Sequence, residues 1–166
     1  GTYTGSADGD TVTIANALAN VLNLGNGTNV VNGAASGNNV VTGGSGGDNF
    51  VTATTGNNVV NFGDGTNAFT ATSGNNIYTG GAGADTVTIT NVTGNGIQTI
   101  TTNGGNDSVT LTSTTGANVV DLGAGNDTYL AGASGGSVTG GAGSDSMTGG
   151  AGTDVFIYTT ALESSG

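Results

Sequence analysis

Gly140–Tyr158 reads GGAGSDSMTGGAGTDVFIY and contains two consecutive copies of a nine-residue pattern, Gly-Gly-x-Gly-x-Asp-x-apolar-x. Asp145 and Asp154 hold the acidic position, and Met147 and Phe156 the apolar one. Glycine admits the positive-φ backbone of a tight turn, and the Asp places a carboxylate where that turn ends. The apolar residue two places on then begins a short strand with its side chain inward. Turn, acid and strand repeated in this way build a coil stapled at its edge.

Working outward, the same frame recurs along the chain with a doubled period. Asp10, Asn29, Asp48, Asn67, Asp85, Asp107, Asp127 and Asp145 occupy the acidic position. A second series lies about halfway between them: Asn20, Asn39, Asn58, Asn76, Asn95, Asn118, Gly136 and Asp154. Segments 36–51 (SGNNVVTGGSGGDNFV), 55–70 (TGNNVVNFGDGTNAFT) and 73–88 (SGNNIYTGGAGADTVT) align almost position for position, and 18–29 and 116–127 fit the same frame. Extra residues between Asp85 and Asp107 predict that regular stacking fails there, in a bulge or longer loop.

Two residues after each acidic position the side chain is apolar. One series is Val12, Val31, Phe50, Phe69, Val87, Val109, Tyr129 and Met147; the other is Leu22, Val41, Val60, Tyr78, Val120, Val138 and Phe156. Strand alternation puts both series in the space between two parallel sheets. The expected fold is all-β, a right-handed parallel β-roll (a two-sheet solenoid) of about eight coils of 18–19 residues. The Gly, Thr, Asn and Val content disfavours helix.

The nonapeptide resembles the calcium-binding repeat of RTX (repeats-in-toxin, hemolysin-type) proteins, found in secreted bacterial surface-layer proteins, adhesins and enzymes. The tail 149–166, GGAGTDVFIYTTALESSG, resembles the closing segment of such blocks. The resemblance implies calcium as the cofactor, a secreted, extracellular or cell-surface location, and export by a C-terminal signal of the type I kind. It implies that 1–166 is a single roll belonging to a longer chain: Asn-rich coils over 1–79, calcium-rich coils over 80–158, and the start of a C-terminal segment at 159–166.

Composition excludes several functions. The 166 residues include 35 Gly, no Pro, Cys, Lys, Arg or His, and 11 acidic residues, for a net charge of −11. Without a cationic side chain nothing neutralises phosphates, so nucleic-acid binding and adhesion to anionic lipid are not expected. No internal salt bridge is available; each carboxylate must be solvated, protonated or held by an external cation. No apolar run reaches the ~18 residues that span a bilayer, so no membrane insertion is expected. The chain opens on GTYTGSADGD, which is not a signal-peptide pattern. With no His, Cys or Lys, catalysis would fall to carboxylates such as Asp64, Asp121 or Glu163, and nothing in the sequence places two of them in a cleft. The expectation is a chain that is not an enzyme.

The strongest constellation is the column Asp85, Asp107, Asp127 and Asp145. Carboxylates stacked about 5 Å apart repel one another unless a cation intervenes. Calcium fits, because it takes six or more oxygens and can combine carboxylates with turn carbonyls around Gly81, Gly83, Gly105, Gly123, Gly125, Gly141 and Gly143. The 102–107 turn departs most from the pattern, and Asp48 and Asp10 are weaker members. The alternative is a glycine-rich turn carrying a solvated Asp. Asp154, with Gly150 and Gly152, lies on the opposite edge after Gly136; a site there draws on carbonyls and one carboxylate, or on a coil beyond Gly166. Stacked Asn20, Asn39, Asn58 and Asn76 predict a metal-free hydrogen-bonded ladder.

Two outward stripes remain. Val21, Val40, Val59, Ile77, Val119 and Val155 predict an exposed apolar ridge, either an assembly interface or plain strand propensity. Thr11, Thr13, Thr70, Thr86, Thr88, Thr110, Thr128 and Thr148 predict a threonine face, interrupted by Val30, Asn32, Asn49, Val51 and Leu130. The leading functional expectation is a roll that folds outside the cell on binding calcium. It would serve a structural or self-assembling protein (surface layer, filament or adhesin), with itself or other extracellular surface proteins as partners. The alternatives are an auxiliary export and folding module of a secreted enzyme, and an ice-binding adhesin segment.

Overall fold

The computed structural model describes residues 1–33, 37–52, 56–90, 96–112, 116–133 and 135–159. The first strands are β1 (Thr2–Thr4), β2 (Thr11–Ile14), β3 (Asn20–Asn23), β4 (Val30–Gly33), β5 (Asn39–Thr42) and β6 (Asn49–Thr52). The middle of the chain forms β7 (Val59–Gly63), β8 (Ala68–Ala71), β9 (Asn76–Gly80), β10 (Thr86–Ile89), β11 (Gln98–Thr101) and β12 (Ser108–Leu111). The last are β13 (Asn118–Asp121), β14 (Thr128–Ala131), β15 (Gly136–Thr139), β16 (Ser146–Thr148) and β17 (Asp154–Ile157). Odd strands make a nine-stranded sheet, even strands an eight-stranded one, and every pairing is parallel to the strand one coil away. This is a two-sheet parallel β-roll. Among the described residues no helix is long and apolar enough to cross a membrane.

Register gives the coil lengths. Asn20 pairs with Asn39, Val59 with Ile77, Thr86 with Ser108 and Ser108 with Thr128, steps of 19, 18, 22 and 20 residues. Stacking therefore does not fail between Asp85 and Asp107. β10 pairs with both β8 and β12, and β11 with both β9 and β13. The extra residues lie between β10 and β11, in a stretch that includes 91–95, outside the described residues. Pairing survives because the insertion sits in a connection and adds nothing to either ladder.

Alternation sets the core. Val31, Phe50, Phe69, Val87, Val109 and Tyr129 from one sheet meet Leu22, Val41, Val60, Tyr78, Val120 and Val138 from the other, and all are buried. Val12, Met147 and Phe156, near the two ends, are only partly buried. Ile14, Leu24, Phe62, Ile89, Ile100, Leu111 and Leu122 join the same core. An aromatic cluster spans both sheets at mid-length. Phe69 stacks on Tyr78 with ring centroids 5.8 Å apart, packs against Phe50 at 5.7 Å, and Tyr78 takes Phe62 edge-on at 6.0 Å.

The apolar ridge is shorter than its sequence suggests. Val21, Val40, Val59 and Ile77 are adjacent and exposed in four neighbouring coils. Thr99 then separates Ile77 from Val119, and Ser137 separates Val119 from Val155. The opposite face mixes threonine with exposed Val51 and Leu130.

Phe69→Ala removes a ring from the centre of that cluster, and an aromatic-to-alanine truncation in a core costs about 3–5 kcal/mol. Denaturant unfolding should show a loss of that size. Val51→Thr, on the outer face of the same sheet, should shift stability by no more than about 0.5 kcal/mol.

Candidate metal-binding edge

Turns leading from the nine-stranded sheet to the eight-stranded one form the first edge. Each is six residues long and ends on the acidic position, as in 80–85 (GGAGAD) and 122–127 (LGAGND). From the 24–29 turn onward the fourth residue takes the left-handed backbone: φ is 123° at Gly83 and 139° at Gly143. A Cβ there would collide with the carbonyl one coil back, Gly65 O or Gly125 O respectively. Asn103, in the turn that departs most from the pattern, takes φ 71°, a conformation Asn tolerates. Its Nδ2 donates to Gly80 O at 2.6 Å. With Gly105 at φ 133°, the 102–107 turn keeps the path of its neighbours.

The closing side chains point inward. Asn29, Asp48, Asn67, Asp85, Asp107 and Asp127 are all at most 2% exposed, so a solvated Asp does not describe this edge. One oxygen of each accepts the backbone N–H of its counterpart one coil back. Asp10 N donates to Asn29 (2.9 Å), Asn29 N to Asp48 (3.2 Å), Asp48 N to Asn67 (2.9 Å) and Asn67 N to Asp85 (3.2 Å). Asp85 N donates to Asp107 (2.7 Å), Asp107 N to Asp127 (2.7 Å) and Asp127 N to Asp145 (3.0 Å). Asp and Asn serve this ladder equally, because both carry the accepting oxygen.

The second terminal atom separates them. Oδ2 of Asp48, Asp85, Asp107, Asp127 and Asp145 is buried without a hydrogen-bond partner among the described residues. Asp10 Oδ2, at the exposed end, accepts from Ser6 N at 2.9 Å. A buried, acceptor-only carboxylate is costly unless it is protonated or paired. Burial pushes the Asp85 carboxyl up to about 7, helped by the Asp107 charge and opposed by hydrogen bonds from Asn67 and by the nearby Tyr78 hydroxyl, whose geometry falls short of a full hydrogen bond. Asp127 is pushed up to about 6, again mainly by burial, and Asp48 is raised for the same reason. The Tyr78 phenol is raised by burial and then by the Asp85 charge.

These oxygens fit a hard divalent cation. Among the described residues no three acidic side chains converge on one point. A calcium ion here would therefore take a carboxylate from one coil or two, with turn carbonyls completing the six or more oxygens it needs. The Asp85, Asp107, Asp127 and Asp145 carboxylates, with carbonyls of the turns containing Gly81, Gly83, Gly105, Gly123, Gly125, Gly141 and Gly143, would hold it. Calcium bound there supplies the positive charge that this chain lacks.

The second edge is bonded differently. Asn20 Nδ2 donates to Asn39 Oδ1 (3.0 Å), Asn39 to Asn58 (3.0 Å), and Asn58 to Asn76 (2.9 Å). Asn76 Nδ2 donates in turn to Gln98 Oε1 at 3.0 Å. Gln98 therefore holds the place that sequence reading gives to Asn95, which lies outside the described residues. Its sequence signal is its distance to Asp107, nine residues, the same as from Asn76 to Asp85. An outer tier is also present: Asn38, Asn57 and Asn75 accept from the backbone of Asn57, Asn75 and Ile97 at 2.7–2.9 Å. The doubled Asn of SGNN and TGNN is its mark in the sequence. Asp154 pairs in register with Gly136, which has no side chain to offer. Its Oδ2 accepts from Gly150 N at 3.0 Å, while its Oδ1 is buried without a partner among the described residues.

The family model described as the RTX calcium-binding nonapeptide repeat (4 copies) matches residues 34–69, 44–78, 70–88, 110–138 and 132–158. No curated protein and no solved structure matches the chain.

The raised carboxyls predict an inverted pH dependence without metal. A group whose folded pKa exceeds its unfolded value binds more protons when folded, so its stabilisation is complete below the unfolded pKa, about 4. It is lost as pH rises through the folded values, about 6 at Asp127 and about 7 at Asp85. In chelator, thermal unfolding should give a higher midpoint at pH 4.5 than at pH 8. Saturating calcium should abolish or reverse that order, because protons and metal compete for the same oxygens.

Proposed function

Since the chain belongs to the RTX calcium-binding nonapeptide repeat family, we propose that it is a calcium-triggered roll of a secreted bacterial structural or self-assembling protein. The observation that carries this reading is the column of buried, unpartnered Oδ2 atoms at Asp85, Asp107, Asp127 and Asp145 in a chain with no Lys, Arg or His. Without a cation, the charged carboxylates oppose closure of the coils. With calcium, the same oxygens join successive turns, so metal binding and closure of the coils from Asp85 onward are one event. Those coils stay open where calcium is scarce and close outside the cell.

A surface-layer, filament or adhesin role draws support from the exposed Val21, Val40, Val59 and Ile77 patch, with a second copy or another extracellular surface protein as partner. The reading assigns no catalytic role, in keeping with side chains limited to carboxylates as acid or base.

Calcium titration of the chelated protein should add β signal to the far-UV circular dichroism spectrum, reversibly, as the coils from Asp85 onward close. Asp107→Ala combined with Asp127→Ala should raise the calcium midpoint at least about tenfold, by removing charged ligands. Electron microscopy before and after calcium addition should show ordered assemblies only after. If chelation leaves both spectrum and assembly unchanged, the calcium mechanism is wrong.

A further inference from the structure

The first edge does not present a carboxylate at every turn, and the exceptions, Asn29 and Asn67, have a shared geometry. Asn29 Nδ2 donates to two carbonyls of its own turn, Gly25 O at 3.3 Å and Gly27 O at 3.2 Å. It also donates to Asp48 Oδ1 of the next coil at 2.7 Å. Asn67 Nδ2 repeats the arrangement with Gly63 O (3.0 Å), Gly65 O (3.2 Å) and Asp85 Oδ1 (3.0 Å). Two turn carbonyls and a neighbouring carboxylate thus converge on one amide NH2, whose two hydrogens carry the partial positive charge and are shared among the three oxygens. This is the kind of oxygen set an Asp turn offers to a cation.

We propose that Asn29 and Asn67 are built-in substitutes for the bound cation. Each amide takes the place a cation would hold among its own turn carbonyls and the Oδ1 of the next coil, so these intervals close without metal. The inference rests on reading the carboxylate edge as the calcium site and adds which intervals that site skips. Two metal-independent intervals follow, Asn29 to Asp48 and Asn67 to Asp85, with the Asp48 carboxylate between them and the calcium-dependent coils from Asp85 onward beyond. Wherever Asp replaces Asn, the nitrogen becomes a second carboxylate oxygen, and that atom is the one left buried and unpartnered at Asp48, Asp85 and Asp127.

The packing beneath the turns does not by itself separate the two kinds. At Asp48 and Asp85 the residue five places earlier is Gly43 or Gly80, and a Cβ on either would collide with Oδ2 of that Asp. The Asn turns carry buried Leu24 and Phe62 there instead. Leu122 fills the same place before Asp127, so an apolar residue tolerates either side chain, and it is the amide that closes the interval.

Isosteric exchange in both directions tests the proposal on the full chain, with the thermal midpoint in chelator and the calcium stoichiometry by titration calorimetry as readouts. Asn67→Asp should lower the midpoint in chelator by roughly 10 °C, as expected for several kcal/mol in a chain of this size. It should also add one calcium per chain and recover the midpoint in calcium. Asp127→Asn rebuilds the LGNGTN arrangement of residues 24–29 in the LGAGND turn of 122–127. It should raise the midpoint in chelator and remove one calcium. A gain of calcium by Asn67→Asp supports the proposal even if the parent chain binds none, a result that would instead defeat the calcium-triggered function. Unchanged stoichiometry and chelator midpoint in Asn67→Asp overturn the proposal while leaving that function intact, and so does an equal loss with and without calcium. Should Asn67→Asp not fold in either condition, Asp127→Asn decides: a lowered midpoint in chelator overturns the proposal.

Discussion

Buried carboxylates in a chain without one cationic side chain are the constraint on which the rest of the structure depends. The parallel coils can stack only if the residue closing each first-edge turn sends an oxygen inward to the backbone N–H of its neighbour. That requirement buries the side chain. Asp meets it at the cost of a second oxygen with nothing to bond, whereas Asn meets it with a donor in that place. The Asn turns therefore supply their own donor, whereas the Asp turns hold a buried oxygen that is costly unless it is protonated or paired with a cation.

The two edges divide the labour geometrically as well. From each second-edge residue to the next first-edge residue the spacing is nine throughout: Asn20 to Asn29, Asn39 to Asp48, Gln98 to Asp107, Asn118 to Asp127. All variation in coil length falls in the return connections. From Asp48 to Asn58 is ten residues, whereas from Asp85 to Gln98 is thirteen. A metal site assembled from successive turns requires those turns to be superimposable. The Asn edge bonds from side chain to side chain, and the longer Gln98 still reaches both Asn76 and Gly74 O. Long connections can therefore be inserted on that side without disturbing the carboxylate column.

The aromatic cluster sits where the two kinds of coil meet. Phe62 stands where β7 enters the turn that ends at Asn67, and Tyr78, one coil on, packs against it from the strand that leads directly into the Asp85 turn. Burial and the nearby Asp85 charge keep that phenol neutral. The aromatic part of the core thus borders the first carboxylate of the Asp85 column.

How much was legible in the sequence depends on how local each feature is. Strand alternation and the turn chemistry repeat within nine residues, so the parallel roll, the inward series from Val31 to Tyr129, and the column at Asp85, Asp107, Asp127 and Asp145 could be read directly. The missing counter-charge needed only composition. The tertiary structure alone decided which oxygen of each Asp is bonded and which is left over. It also set the Asn29 and Asn67 amides on turn carbonyls. Those outcomes depend on the alignment of residues 18 to 22 positions apart, and backbone hydrogen bonds between coils set that alignment. No pattern within a single repeat carries that information.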